Sequence, residues 1–533
     1  MFKLEFLKLK DHPQLGNLEI NFFDLNDLEN SINPYSSILI GPNGTGKSYV
    51  LRTIAEIFRA LKNCQSSNTG LVKLSFGFDI QYYIGINQYR VELSKFPNKR
   101  KKGLNIFKNA YSFNYLNRKG NFIEGLKESL ISVSDLEFPN RVIVNSVMLT
   151  DRFVWQNSNP TDFYQYLGVR STKTTANTKS SSRRTIKYLL NEIQTNIDFI
   201  RNLKDLLKFL EFEESFEVHY LTKVNKLFFS GNLTLENFTR YFEEWWMDDF
   251  VYSRRNKDNP LWSIPYYNNN FKDNIDRSHS IIDFLNRISS GERSKLKHKP
   301  NSPSKRLPIN IFDNTWDFED LEMIGHLESL DIINLEGIKI RKSNSTLSIN
   351  EVSSGEYHML ITLIGMFSSI KSNSIILIDE PEISLHPNWQ MKYISFLKKV
   401  FSNFSDSHFI VATHSHFLVS DLEGESSSVI ALSRDAETNT LSSSLLKGTD
   451  TYGWSAEQVL LDVFDVPTTR NYAVAEKLGL LLDYIADERN DEKAVKNKFF
   501  ELELDKLEKL QNTDPLKEVY NTIIKEYDLG WTE

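Results

Sequence analysis

Residues 41–48 read Gly-Pro-Asn-Gly-Thr-Gly-Lys-Ser, and no other stretch narrows the possible folds of this chain as far. They satisfy G-x-x-x-x-G-K-[ST] between an apolar run, "SSILI" at 36–40, and an amphipathic stretch, "YVLRTIAEIFRAL" at 49–61. Strand, glycine-rich turn and helix in that order make a phosphate cradle. Gly41, Gly44 and Gly46 let the backbone curl so that its N–H groups face phosphate oxygens, and the helix N-terminus adds the positive end of its dipole. Pro42, Asn43 and Thr45 complete the turn. Lys47 is placed to reach the β- and γ-phosphates and the Ser48 hydroxyl to ligate Mg²⁺. This pattern specifies nucleotide binding; hydrolysis needs further groups.

The stretch "SIILIDEPEISLHP" at 374–387 supplies candidates. An apolar run ending in Asp379 and Glu380 reads as a buried parallel strand that delivers two carboxylates to the phosphate loop. Asp379 would hold the Mg²⁺ shell, and Glu380 would act as general base on the attacking water. A second apolar run, "HFIVATHSHF" at 408–417, ends in Thr413-His414-Ser415. A histidine at the carboxyl end of a core strand sits where open α/β sheets bind ligands, so His414 is expected near the γ-phosphate. His416 lies two residues further on and reads as a surface histidine.

The tetrad Ser-Ser-Gly-Glu occurs twice, at 289–292 and at 353–356. After Ser353-Ser354-Gly355-Glu356, the apolar positions Met359, Leu360, Leu363, Ile364, Phe367 and Ile370 form one helical face. The serines are expected to cap that helix, with Glu356 in its first turn. The earlier copy runs into "RSKLKHKPNSPSKR", basic and broken by proline, and reads as a loop. The copy at 353–356 is therefore the candidate phosphate-recognising element.

These motifs imply an α/β core split by an insertion. Residues 1–165 would form its first half, opening with an alternating stretch that reads as an edge strand and its return, and including a hairpin at 71–94. Residues 166–308 would be a mostly helical insertion, with 170–185 a mobile polar loop; 309–445 would be the second half and 446–533 a helical tail. One cysteine, Cys64, excludes an internal disulfide and a cysteine-ligated metal site. No apolar run approaches the roughly 18 residues of a membrane span, and the N-terminus lacks the blocks of a signal peptide, so the expected setting is the cytoplasm with no membrane contact. With 63 basic and 70 acidic residues the net charge is −7, so contact with DNA or RNA would rest on local patches such as the basic stretches 99–102, 173–184 and 295–306.

Together, the loop, the SSGE signature, the carboxylate strand, the "SLHP" turn and the "THS" switch resemble the ATP-binding-cassette (ABC) ATPases, within them the SMC, RecF and overcoming-lysogenization-defect branch. The resemblance implies a P-loop, RecA-like ATPase head with an N-terminal antiparallel β subdomain, and it implies ATP and Mg²⁺. It implies also that two copies pair head to tail, so that Ser353, Ser354, Gly355 and Glu356 of one close over the nucleotide of the other. Ser384-Leu385-His386-Pro387 would be the D-loop, Glu380 the catalytic base and His414 the switch histidine. The Q-loop glutamine has no clean counterpart, which leaves Asn145, Asp151 or Gln156. "SVMLTDRF" followed by "YQYLGVRS" is similar to the ATPase subunit of Septu and retron-associated Septu-like anti-phage systems. That likeness implies a separate HNH nuclease as partner, and possible contact with DNA, RNA or the retron's msDNA.

No Asp-x-Asp follows the switch strand, so a fused metal-dependent nuclease is not expected in this chain. "TYGWSAEQVLLDVFDVP" at 451–467 and Trp245-Trp246 read first as core, and the former, if exposed, as a docking place for the effector. Two other functions fit the same motifs: a RecF-like ATPase acting directly on DNA, and a slow nucleotide sensor.

Overall fold

The computed structural model describes residues 1–23, 33–66, 74–95, 102–110, 129–148, 150–156, 161–170, 172, 175, 178–193, 197–223, 226–245, 263–290, 295–298, 304–313, 316–420, 422, 426–435, 437–447, 454–462, 471–486, 492–511 and 514–527. It contains two compact units, residues 1–453 and 454–533.

In the first unit the central sheet has seven strands in the order β18-β17-β3-β16-β15-β8-β9. These are β3 (Tyr35–Ile40), β8 (Arg141–Ser146), β9 (Tyr164–Tyr166), β15 (Ser374–Asp379), β16 (His408–Ala412), β17 (Ser427–Arg434) and β18 (Leu441–Lys447). All neighbours are parallel except the β17–β18 hairpin. Every residue of β3, β8, β15 and β16 is buried, as parallel strands covered on both faces should be. This order places β16 between the strand that feeds the phosphate loop and the strand that ends in Asp379. Adjacent strands lie about 4.8 Å apart, so the two outer strands stand roughly 10 Å from each other with the end of β16 between them.

A six-stranded antiparallel sheet holds β1 (Phe2–His12), β2 (Gly16–Asn21), β4 (Gly77–Ile84) and β5 (Asn87–Lys95), with Lys102–Ala110 and Ser129–Leu130 beyond. The expected hairpin is β4–β5. The first strand is not an edge: β1 pairs with β2 on one side and β4 on the other. Helix α1 (Lys47–Ser66) packs with both sheets through Val50, Leu51, Ile54, Ile57, Phe58 and Leu61, all 0% exposed. Its first turn carries no acidic side chain of its own.

The stretch expected to be a mostly helical insertion also contributes β10 (Phe216–Thr222), the centre of a third sheet ordered β11-β12-β10-β13-β14 with Lys297–His298, Lys305–Asn310, Ile333–Lys342 and Ser345–Ser348. The loop expected over 170–185 is corrected from residue 178 onward, because Thr178–Ile193 form helix α2. Its polar first half is held by tertiary contacts. Arg184 donates to Gly168 O at 2.6 Å, and the Ser182 and Tyr357 hydroxyls lie 3.0 Å apart. Ile186, Leu189 and Leu190 then bury its apolar face.

The second unit holds helices Ala456–Asp462, Tyr472–Ala486, Glu492–Glu501 and Pro515–Glu526. A small core of Leu481, Val495, Phe499, Leu504, Tyr520 and Ile523 joins the last three. No helix among the described residues is long and apolar enough to cross a membrane.

Candidate nucleotide site

The phosphate loop leaves β3 and enters α1 with Gly41, Gly44 and Gly46 at φ of +143°, +85° and +86°, a region that side chains rarely tolerate. A Cβ on Gly41 would collide with the Leu432 carbonyl oxygen, so that glycine is also sterically required, and one on Gly46 would press on the end of the Leu15 side chain. Thr45 turns inward and donates to Pro42 O at 2.9 Å, while Pro42, Asn43 and Gly44 are exposed at the rim.

Lys47 is 4% exposed. Its Nζ donates to Gly41 O at 2.7 Å and lies 3.2 Å from His414 Nδ1. Burial pulls this ammonium down to about 8, against the opposite pull of Glu380, Glu382 and Asp379. The Ser48 hydroxyl donates to Asp379 Oδ1 at 2.8 Å, which joins the loop to the end of β15. Burial pushes the Asp379 carboxyl up to about 7; the Ser48 hydrogen bond resists, and Glu380, Asp151 and Glu382 push the same way. A hydroxyl beside a buried carboxylate crowded by other carboxylates is a hard-oxygen donor set, and it fits Mg²⁺. Among the described residues no group of three or more His, Cys, Asp or Glu is arranged to hold a metal by itself.

Glu380 follows with φ +50°, an uncommon conformation for a side-chain-bearing residue, and its N–H is held by Ala412 O at 2.8 Å. His414 Nε2 lies 3.3 Å from Glu380 Oε1. A Lys47 ammonium facing Nδ1 needs a lone pair there, so the ring proton sits on Nε2 and is donated to Glu380. That hydrogen bond, with the Lys47 charge, holds the Glu380 carboxyl below its ordinary value in spite of burial. Three strands thus bring Lys47, Ser48, Asp379, Glu380 and His414 into one connected group.

The second tetrad begins the helix Ser354–Phe367 with a capping box. Ser353 Oγ accepts from Glu356 N at 3.3 Å, and Glu356 Oε2 accepts from Ser353 N at 2.8 Å. Lys342 at the end of β13 (Ile333–Lys342) donates to Glu356 Oε1 at 2.6 Å. Ser353 and Ser354 are exposed, whereas Gly355 is buried and a Cβ there would meet the Ser384 carbonyl oxygen. Among the described residues, no hydrogen bond or ion pair joins Ser353–Glu356 to the loop 41–48. The "SLHP" turn has a local cause. His386 caps the helix Pro387–Val400, and proline occupies its first position.

Of the three residues left open at the end of β8 and beyond, Asn145, Asp151 and Gln156, Asp151 is sealed. Its carboxylate accepts from Arg170 Nε at 2.8 Å and Nη2 at 2.6 Å, from the Tyr166 hydroxyl at 2.6 Å and from Phe153 N at 3.0 Å. Gln156 accepts from Arg59 at 3.1 Å. The buried Asn145 Oδ1 has no hydrogen-bond partner among the described residues. Tyr164 donates to Val154 O at 2.8 Å, and with the Asp151–Arg170 pair this joins the described residues of the stretches 146–153 and 164–171. Sequence reasoning missed that ion pair, and it missed Glu382 and Gln390; a glutamine three residues after "SLHP" was the one local signal. Of the basic stretches, Arg183 faces Glu328 and Arg306 faces Glu336, which spends those charges internally; 99–101 lie outside the described residues. Trp246 and 463–467 lie outside them too.

A family model for an AAA ATPase domain (AAA_15) matches residues 3–419. Over 233 residues the chain is 25% identical to the Septu protein PtuA of Bacillus thuringiensis, covering 41% of this chain and 54% of that protein. Over 87 residues it is 37% identical to the Retron Ec83 probable ATPase of Escherichia coli, covering 14% and 16%. The chain thus spans about half or less of the curated relatives it matches. Among solved structures, an Smc head domain bound to the C-terminal domain of ScpA from Pyrococcus furiosus is 12% identical with TM-score 0.33, over 84% of this chain and 98% of that one. The SMC head domain from Thermotoga maritima is 12% identical with TM-score 0.30, over 84% and 99%. The family match takes in the loop 41–48, the helix Ser354–Phe367, the strand ending in Asp379 and His414 together, and the chain belongs to the AAA ATPase domain family.

Proposed function

We propose that this chain hydrolyses ATP between Gly41–Ser48 and the strand ends at Asp379, Glu380 and His414. In the same proposal two copies close head to tail, with Ser353–Glu356 of each over the loop of the other, and turnover governs a separate HNH nuclease in anti-phage defence, in the cytoplasm. The observation that carries the hydrolytic part is the connected group itself: Ser48 bonded to Asp379, and His414 bridging Lys47 and Glu380. The exposed serines at a helix start, unattached to their own loop, support a second copy as their target. The defence role is supported by the likeness to the Septu protein and the retron ATPase.

The roles follow from the geometry. Backbone N–H groups of 43–48 and the α1 dipole hold phosphate oxygens, and Lys47 swings its charge from Gly41 O to the β- and γ-phosphates. Ser48 and Asp379 would hold Mg²⁺, which when bound neutralises charge on those phosphates. The nucleoside would extend into the cleft of about 460 Å³ beside α1, lined by His12, Gln14, Tyr49, Thr53 and Phe76. Glu380, kept ionised, takes a proton from water as the oxygen attacks the γ-phosphorus and the bond to the β-phosphate oxygen breaks. His414 fixes the orientation of Glu380 through its Nε2 proton.

Glu380→Gln keeps the shape of the base but cannot accept the proton. ATP-bound dimers are expected to accumulate in that variant, while Lys47→Ala forms none. Size exclusion with ATP and Mg²⁺ reads both. Identical elution of the two variants contradicts the mechanism.

A further inference from the structure

The switch histidine is tied to the signature face of its own chain by two side chains that have no place in the chemistry above. His414 N donates to Glu382 Oε1 at 2.7 Å. One residue on, Ser415 Oγ donates to Gln390 Oε1 at 2.6 Å, and Gln390 Nε2 donates to Leu385 O at 2.9 Å. Leu385 follows Ser384, which holds φ +68° and whose carbonyl oxygen abuts Gly355. Burial raises the Glu382 carboxyl above its ordinary value, and Ser415 is 8% exposed, so these bonds form away from water. The amide of Gln390 is the one group here that accepts from the switch and donates to the 384–387 turn at once.

We infer that Glu382 and Gln390 are positioning residues: a clasp that makes the switch segment 413–415 and the turn 384–387 move as one piece, and with them Gly355 at the start of the signature helix. Nucleotide sensed by His414 in one site is thereby reported to the surface that serves the other site. The clasp rests on the ATP reading proposed above. It adds a route by which each nucleotide sets the face offered to the second copy.

The test uses the full chain with ATP and Mg²⁺, comparing wild type with Gln390→Leu and Ser415→Ala, which break the same bridge from opposite sides. Each is expected to lower kcat roughly tenfold with KM within about twofold, and the double variant to be no worse than the worse single. Hydrogen exchange is read alongside. ATP should protect loop 41–48 in all four proteins but protect 382–390 in wild type alone. Wild-type kcat in both variants, ATP protection of 382–390 retained in them, or kcat and KM shifting together through a distorted pocket overturns the clasp while leaving the nucleotide reading intact. Loop 41–48 unprotected in wild type instead fells the nucleotide reading, and the clasp with it. Should Gln390→Leu fail to fold, Ser415→Ala carries the test alone.

Discussion

The same four residues, Ser-Ser-Gly-Glu, stand at opposite ends of two helices. At 353–356 they start a helix: Ser353 is its N-cap, Glu356 closes a capping box, and the exposed Ser354 faces outward at the positive end of the dipole. At 289–290 the serines finish one. Ser289 is the last residue of the helix Ile275–Ser289, and Ser290 is its C-cap, bonding back to Asn286 O at 2.6 Å. Gly291 and Glu292 lie outside the described residues. A helix start offers free N–H groups to an anion, whereas a helix end offers carbonyl oxygens that repel one. Identical letters therefore have opposite electrostatics, and what separates them is the sequence that follows: an apolar helical face in one case, a basic proline-broken stretch in the other.

The sharpest way to break this comparison is Ser354→Arg. If Ser354 meets nucleotide held by a second copy, a bulky side chain there should cut ATPase turnover by at least about 100-fold, the scale lost when transition-state donors are removed. Exposure of Ser354 means the fold should survive, with melting shifted by about 1 kcal/mol or less. Turnover near wild type in the folded variant refutes the signature role of 353–356.

A smaller effect tests the cap alone. Ser353→Ala removes one side of the box and should cost about 1 kcal/mol of stability at neutral pH. The pH dependence has a definite sign. Burial pushes the Glu356 carboxyl up, but hydrogen bonds from Lys342 and Ser353 outweigh it and hold it below its ordinary 4.5. A carboxylate with a depressed folded value contributes stability that is fully present above 4.5 and lost as pH falls through the folded value. The gap between wild type and Ser353→Ala should narrow across that acid range in thermal melts. A gap that widens there contradicts the reciprocal box.

Much of the site could be read along the chain because its determinants are local. Glycines and Lys47 fall within one turn, and an apolar run ends in Asp379 and Glu380. What stayed hidden depends on partners far apart in sequence. Arg170 closes on Asp151 from 19 positions away, Ser415 on Gln390 from 25, and Lys342 reaches Glu356 across a hairpin. The first half of helix α2, residues 178–185, reads as a loop along the chain for the same reason, since that polar start is ordered by Gly168 and Tyr357 rather than by its own pattern. β10 sits inside a helical neighbourhood, and only its pairing with β12 and β13 declares it a strand.

The smallest expected effect belongs to the other tetrad. Ser290→Arg places a cation at a helix C-terminus, where the dipole is favourable, at a position already exposed. Its cost is the Ser290 Oγ bond to Asn286 O and a weaker one to Gly231 O at 3.4 Å. Gly231, at φ +82°, packs against that same serine, so some local adjustment is required. The gain and the loss are of similar size, each under about 1 kcal/mol, so stability should stay close to wild type. ATPase turnover should be nearly intact, because Ser290 stands at a helix C-terminus, whose carbonyl oxygens repel a phosphate. Measured beside Ser354→Arg under the same conditions, it turns a coincidence of spelling into a control: equal losses in both would mean that surface charge, and not the signature, governs turnover.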